Sequence, residues 1–350
     1  MILPGSQLYN LILLVFGMLC LGTWANTFRM TSRWRFELYY FDFAIGALVA
    51  ALLIGFTFGS LGWDGFALSD DYYNAAKQKD ALALGGGMIF NLGNMLILAA
   101  LSISGMTVAY MIGVAMMLTT GIVITYFTSP AGNGTMVFAG AMLILVAGVL
   151  LSVAYRLHSI ERLLVLAQQG KTKSTKKKAS LKGVLLAAGG GIIAGTYFPL
   201  MNAAAQGENG AGPYSMGIFF SIGIAISTFV YCIFFMNLPV YGEPVELSAY
   251  FKGKAKFHWL GVLGGIMFYI ALISTLIMMR AEGKNIVPPM TMRALMLGAV
   301  LIGTLWGLLR WKEFDGASGK IKTMLFIALF ALVSGMVSLS GALGISTSGS

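Results

Sequence analysis

Ten apolar stretches, each close to the roughly 20 residues a helix needs to cross a bilayer, decide what this chain can be. They cover 8–28, 38–61, 82–102, 105–128, 135–155, 183–204, 213–238, 257–279, 287–309 and 321–344 of the 350 residues. Several linkers are very short, Ser102-Ile103-Ser104-Gly105 among them, which suits tightly packed antiparallel helices. One linker, 156–182, is long, polar and basic, and it divides the stretches five and five. The expected fold is an all-α polytopic membrane protein with ten transmembrane helices. Its units are a first five-helix repeat over 1–155, a basic linker over 156–182 and a second five-helix repeat over 183–350. The first stretch has no basic segment in front of it and reads as a full span, not as a cleaved signal peptide.

Composition agrees: 58% of residues are hydrophobic and 10% charged, which is not a soluble globular balance. The net charge of +10 is placed where it orients spans instead of gripping nucleic acid. Arg29, Arg33, Arg35, the linker's Arg156, Arg162 and lysines, then Lys252, Lys254, Lys256, Arg310, Lys312, Lys320 and Lys322 all fall on one side if the spans alternate. Lys77, Lys79, Arg280, Lys284 and Arg293 fall on the other. The positive-inside rule then puts both termini outside a plasma or inner membrane and the linker in the cytoplasm. There its lysines would meet anionic lipid headgroups. Cys20 and Cys232 lie inside apolar spans, and His158 and His258 lie far apart in sequence near span ends. No disulfide framework, metal site or cofactor is therefore expected, and no in-span carboxylate or Cys/His pair offers an enzyme its acid–base chemistry.

The halves repeat. Gly22-Thr23-Trp24 returns 173 residues later as Gly195-Thr196-Tyr197, and the same shift carries Phe41 onto Tyr214. Gly86-Gly87-Met88-Ile89-Phe90 pairs with Gly264-Gly265-Ile266-Met267-Phe268. Because five is odd, a second copy starts from the opposite side, giving an inverted repeat with its substrate site near the midplane.

Leu21-Gly22-Thr23-Trp24, the arginine-rich arm and Tyr40-Phe41-Asp42-Phe43 resemble the opening of the plant ureide permeases. The stretch from Gly86 to Asn94 resembles that family's third span, and Thr120-Gly121 through Tyr126-Phe127 its fourth. The resemblance is clear over the first half and faint over the second. It implies membership of the drug/metabolite transporter superfamily, with rhamnose–proton symporters and glucose/ribose porters as relatives and a ten-helix inverted-repeat fold. The family's central loop carries a nucleotide-binding-like Gly-x4-Gly-Lys-Ser/Thr sequence. Here Gln169-Gly170-Lys171-Thr172 keeps only its end, Val165 replaces the first glycine, and no nucleotide is expected.

Asp42 reads as the only acidic residue inside an apolar span. A carboxylate at the centre of a membrane helix costs roughly 2.5–3.5 kcal/mol on insertion scales, less near the ends. Two readings stand: a proton-coupling carboxylate, or a helix-entry aspartate held by the N-terminal dipole or an arm arginine. Asn91 and Asn94 share a face of the third span with Gly87 and could bind solute or a facing helix. Trp24 and Tyr197, repeat-related and beside glycines, suit flat walls for a ring. Tyr110, Tyr214 and Tyr269 add hydroxyls, and Asn202 follows Pro199 by one turn, where proline frees a carbonyl. Arg293 could face an anionic solute or snorkel to the interface. The expected function is secondary active transport, proton-coupled and by alternating access, of a small polar solute such as a ureide or nucleobase. A monosaccharide–proton symporter is the alternative on the same scaffold, and a lipid-handling membrane protein is a more distant one.

Overall fold

The computed structural model describes residues 1–3, 5–31, 34–62, 67–130, 132–168, 181–207, 209–280, 291 and 294–344. Among these residues the structure is helical, without strands. Nine helices are long and apolar enough to cross a bilayer: α1 (Gln7–Arg29), α2 (Phe36–Thr57), α3 (Lys77–Ser104), α4 (Met106–Thr128), α5 (Gly134–Gln168), α6 (Leu181–Ala205), α7 (Pro213–Asn237), α8 (Ala255–Met279) and, near the C-terminus, α10 (Gly319–Ala342). The ninth expected stretch contributes a shorter apolar helix, α9 (Gly298–Arg310). Lys284, Arg293 and residues 287–290 of that stretch lie outside the described residues. So do Arg33 of the arm and the Gly170-Lys171-Thr172 part of the linker.

Two helices begin before the hydropathy limits and draw in charged residues. α2 starts at Phe36 and takes in Glu37; α3 starts at Lys77 and takes in Asp80. Asp42 is thus not the only acid inside a spanning helix. Glu37 is fully buried because Arg35 forks onto it, with Nη2 to Oε1 at 2.7 Å and Nε to Oε2 at 3.2 Å. This bidentate geometry lets a charge leave water. α5 continues for 35 residues, well into the expected linker. At 1.5 Å per residue it outruns the ~30 Å hydrocarbon core. Its last turns are held by Glu161, whose Oε1 accepts the Ser318 hydroxyl at 2.7 Å.

Packing follows the repeat. α1 packs on α8 and α9, and α6 packs on α3 and α4; α2 packs on α8, and α7 on α3; α5 packs on α10. Moving every helix five places along maps this pattern onto itself. The close contacts repeat too. A Cβ on Gly87 would strike the Phe220 carbonyl, and one on Gly265 the Phe43 carbonyl. Likewise Gly46 abuts the Val262 carbonyl and Gly223 the Leu84 carbonyl. Small residues let helix backbones approach this closely in membranes. The pattern is compatible with two copies of one five-helix unit. It moves the register of the second helix: Gly46 corresponds to Gly223, so Phe41 corresponds to Ile218 and not to Tyr214.

Loops expected on one side meet one another. Glu313, between α9 and α10, accepts the backbone N–H groups of Met106 and Thr107 at 2.7 and 2.8 Å and pairs with Arg29 at 3.3 Å. Trp311 Nε1 donates to Asn26 at 2.7 Å, and the Lys182 ammonium donates to the Val240 carbonyl. On the opposite side both Asp71 carboxylate oxygens accept the Gly212 N–H, at 2.9 and 3.0 Å, and Arg280 donates to the carbonyls of Gly210 and Ala211. Burial pushes the Asp71 carboxyl above its ordinary range, against the partial relief of the Gly212 N–H.

Candidate functional site

Two helices tighten at matching places, each through one residue whose backbone stays in the right-handed helical region. The first, α1, turns at Trp24, where the Thr27 N–H reaches back only three residues to the Trp24 carbonyl. The second, α6, turns at Thr196, next to Tyr197. A partner helix covers the first tight turn: the Tyr110 hydroxyl donates to the Leu21 carbonyl at 2.9 Å. Tyr110 projects from a π-helical turn of α4, Ala109–Val114, the kind of irregularity that gathers at functional sites. α9 ends in a π-helical turn as well, Trp306–Arg310.

Between the tight turns lies an aromatic centre. The repeat-related Phe90 and Phe268 stack with centroids 4.7 Å apart and planes 18° apart. Trp24 packs on Phe268 and Phe43, at 6.5 and 5.1 Å. Tyr197 packs on Phe90 and Phe220, at 5.5 and 5.2 Å. A cavity lined by Leu21, Phe90, Tyr197, Phe198, Phe268 and Thr275, among others, opens beside this stack. Its volume is about 20 Å³, room for about one water. To admit a ring-sized solute, the lining helices must part.

The expected site residues divide. Trp24 and Tyr197 belong to the aromatic centre, and Tyr197 lines the cavity. Tyr110 sits at the tight turn of α1. Asn91 turns to α7, where its amide donates to Ser227 Oγ at 2.7 Å, Thr228 Oγ1 at 3.1 Å and the Ile224 carbonyl at 3.1 Å; its Oδ1 has no partner. Asn94 donates to the Tyr40 hydroxyl at 2.8 Å, tying α3 to α2. Tyr214 donates to the Ile2 carbonyl at 2.8 Å and is not among the residues that line the cavity. Tyr269 is fully buried with an unpartnered hydroxyl against Gly217. Asn202 is half-buried on the last turn of α6.

Asp42 is the residue whose surroundings the sequence hides most. It is 3% exposed, and neither Arg29 nor Arg35 is among its partners. Its Oδ1 accepts the Tyr250 hydroxyl at 2.6 Å, and its Oδ2 lies 2.9 Å from His258 Nδ1. Trp34 closes the group, edge-on to His258 at 4.9 Å and stacked on Tyr250 at 6.2 Å. Gly261 leaves room for this: a Cβ there would lie 2.5 Å from that of Asp42. His258 and Tyr250 escape sequence reasoning because each is more than 200 residues from Asp42. The one available signal was that both sit where the second and eighth spans meet the same set of loops.

Bilayer-length helices make this a multi-pass membrane protein, and the proteins it resembles are permeases, which places it with transporters and not with enzymes. The chain is ureide permease-like, and the ureide permease family model matches residues 39–188. Ureide permease 2 of Arabidopsis thaliana is 22% identical over 95% of this chain and 96% of its own length. Ureide permease 1 of the same plant is also 22% identical, over 91% of this chain and 93% of its own. Probable ureide permease A3 of Vigna unguiculata is 31% identical over a shorter region, 36% of this chain and 35% of its own. A crystal structure 19% identical in sequence superposes with a TM-score of 0.52, covering 95% of this chain and 96% of that one, a likeness of fold alone.

Proposed function

We propose that this protein is a secondary active transporter that carries a ureide or a related nitrogen heterocycle across a plasma or inner membrane, driven by the proton gradient and working by alternating access. The two five-helix units rock about the aromatic centre, with both termini outside and the basic linker in the cytoplasm. The observation that carries this reading is the pairing of repeat-related aromatics, Phe90 on Phe268 and Trp24 opposite Tyr197, at the tight turns of α1 and α6. The repeat interface is where transporters bind their substrates. Flat aromatic walls accept the face of a heterocycle, and the likeness to ureide permeases favours a ureide over a sugar. Ring faces supply affinity, and the Tyr197 and Thr275 hydroxyls supply polar contacts. Asp42 carries the coupling proton, and no cofactor takes part.

A thermal-shift screen of the purified protein against ureides, nucleobases and monosaccharides in parallel tests this. A ligand at a hundred times its dissociation constant stabilises by about 2.7 kcal/mol. Stabilisation by allantoin or a nucleobase, weakened in Phe268→Leu, is expected. Stabilisation by sugars alone would overturn the substrate class.

A further inference from the structure

The Asp42 group joins the two halves, since Asp42 lies on α2 whereas Tyr250 and His258 lie in and just after the segment entering α8. Its members differ in access to water. The Asp42 side chain is 5% exposed, and the His258 side chain 27%. Among the described residues, the groups facing the pair are few. Tyr250 comes from the short helix Ser248–Phe251. From α2 itself comes Tyr39, whose hydroxyl is hydrogen-bonded to Thr27 of α1 at 2.6 Å, and one turn earlier stands the closed Arg35–Glu37 pair. The loop before α8 carries Lys252, Lys254 and Lys256. The other neighbours are uncharged: α7 sets Phe229 against Phe41, and α3 sets Asn94 against Tyr40.

From this geometry we infer that His258 is the proton port of Asp42: the buried carboxylate exchanges its proton with water on the basic face through the imidazole. The inference rests on the proton-coupled reading above and adds the second residue of the relay. The 2.9 Å separation serves either charge state. With Asp42 ionised, Nδ1–H donates to Oδ2; with Asp42 protonated, its O–H donates to the Nδ1 lone pair. In the release step the carboxylic O–H breaks and Nδ1–H forms, and Nε2–H then gives its proton to water. The carboxylate ends ionised, the ring ends neutral, and one proton has left. Nε2 is the nitrogen not engaged by Asp42, and it lies beside Gly253, where a Cβ would stand 2.8 Å from it. Tyr250 keeps its hydroxyl on Oδ1 throughout and holds the carboxylate's orientation.

Trp34 gives a readout that needs no substrate, because an imidazolium at its edge quenches indole emission and a neutral ring does so far less. In the full-length protein in nanodiscs, the difference between wild-type and Trp34→Phe emission is expected to change with pH through a single transition. That transition vanishes in His258→Gln and is displaced in Asp42→Asn. In proteoliposomes, His258→Gln is expected to slow proton-driven uptake by about a hundredfold, the low end of what a positioned proton carrier contributes to a rate, while solute exchange persists and the pH profile flattens. An unchanged Trp34 transition in His258→Gln, or uptake at the wild-type rate with an unaltered pH profile, overturns the relay. If no solute is carried but the transition responds to both substitutions, the proton port stands and the transport reading falls.

Discussion

Around Phe90 and Phe268 the walls are aromatic rings, and the hydroxyls of Tyr110 and Thr275 donate to the backbone carbonyls of Leu21 and Ala271. At the basic end of α2 a carboxylate, an imidazole and a phenol are bonded to one another. On the proposed reading the first region recognises a solute by shape and ring faces, and no charged side chain is among the described residues that line its cavity. The second can hold a proton but has no room for a solute, since Trp34 and Phe41 pack over it. On that reading binding and coupling occupy separate places, joined through α2 and α8, which carry members of both. Phe43 and Asp42 are adjacent on α2, and His258 and Phe268 lie on the same helix. A change of packing at either place moves the same two helices.

This separation can be attacked by substitution. The largest effect is expected from Asp42→Asn: uphill accumulation is abolished while solute-for-solute exchange continues, as measured by labelled uptake with and without an imposed gradient. Next comes Phe268→Leu, which removes one ring of the central stack. An aromatic pair contributes about 0.5–1.5 kcal/mol beyond its area, so apparent affinity should fall by about two- to tenfold, with the pH profile unmoved. A shifted pH profile in that variant would merge the two regions. Asn91→Ala should lower the melting temperature without changing solute affinity, because its bonds run to α7; membrane hydrogen bonds of this kind average about 0.6 kcal/mol.

The smallest effect is expected at Asp71, on the opposite face. Its carboxyl is pushed up by burial, so the folded chain binds its proton more tightly than the unfolded chain does. Stability from this group is present in acid. It declines as pH rises from the ordinary carboxylate range, near ~4, to the raised folded value. Asp71→Asn keeps an acceptor for the Gly212 N–H and should remove that slope from a melting-temperature titration while leaving transport intact.

Much of this was legible in the chain itself, for reasons that can be named. Apolar length gave the helices, because hydrocarbon enforces it. The Gly-Thr-Trp and Gly-Thr-Tyr repeats marked the two tight turns, and Phe90 and Phe268 ended the repeated glycine motifs that let their helices approach. What did not show was which way a polar side chain turns. Asn91 and Asn94 sit on the expected face, yet their donors are met by Ser227, Thr228 and Tyr40 on facing helices. Glu37 was hidden because its cost of burial is offset by an arginine only two residues away, outside the apolar run. Tyr214 looked repeat-related at one fixed shift, whereas the glycine contacts place the second helix four residues further on. Contacts such as Asp42 with His258 are set by how helices from the two halves cross, and hydropathy carries no record of that.

The most direct test of the whole account is uptake of labelled allantoin into proteoliposomes holding the purified protein, under an imposed proton gradient. The account predicts accumulation above the external concentration, collapsed by a protonophore and absent in Asp42→Asn. Uptake that only equilibrates, at the same rate with or without the gradient and in Asp42→Asn, would contradict it.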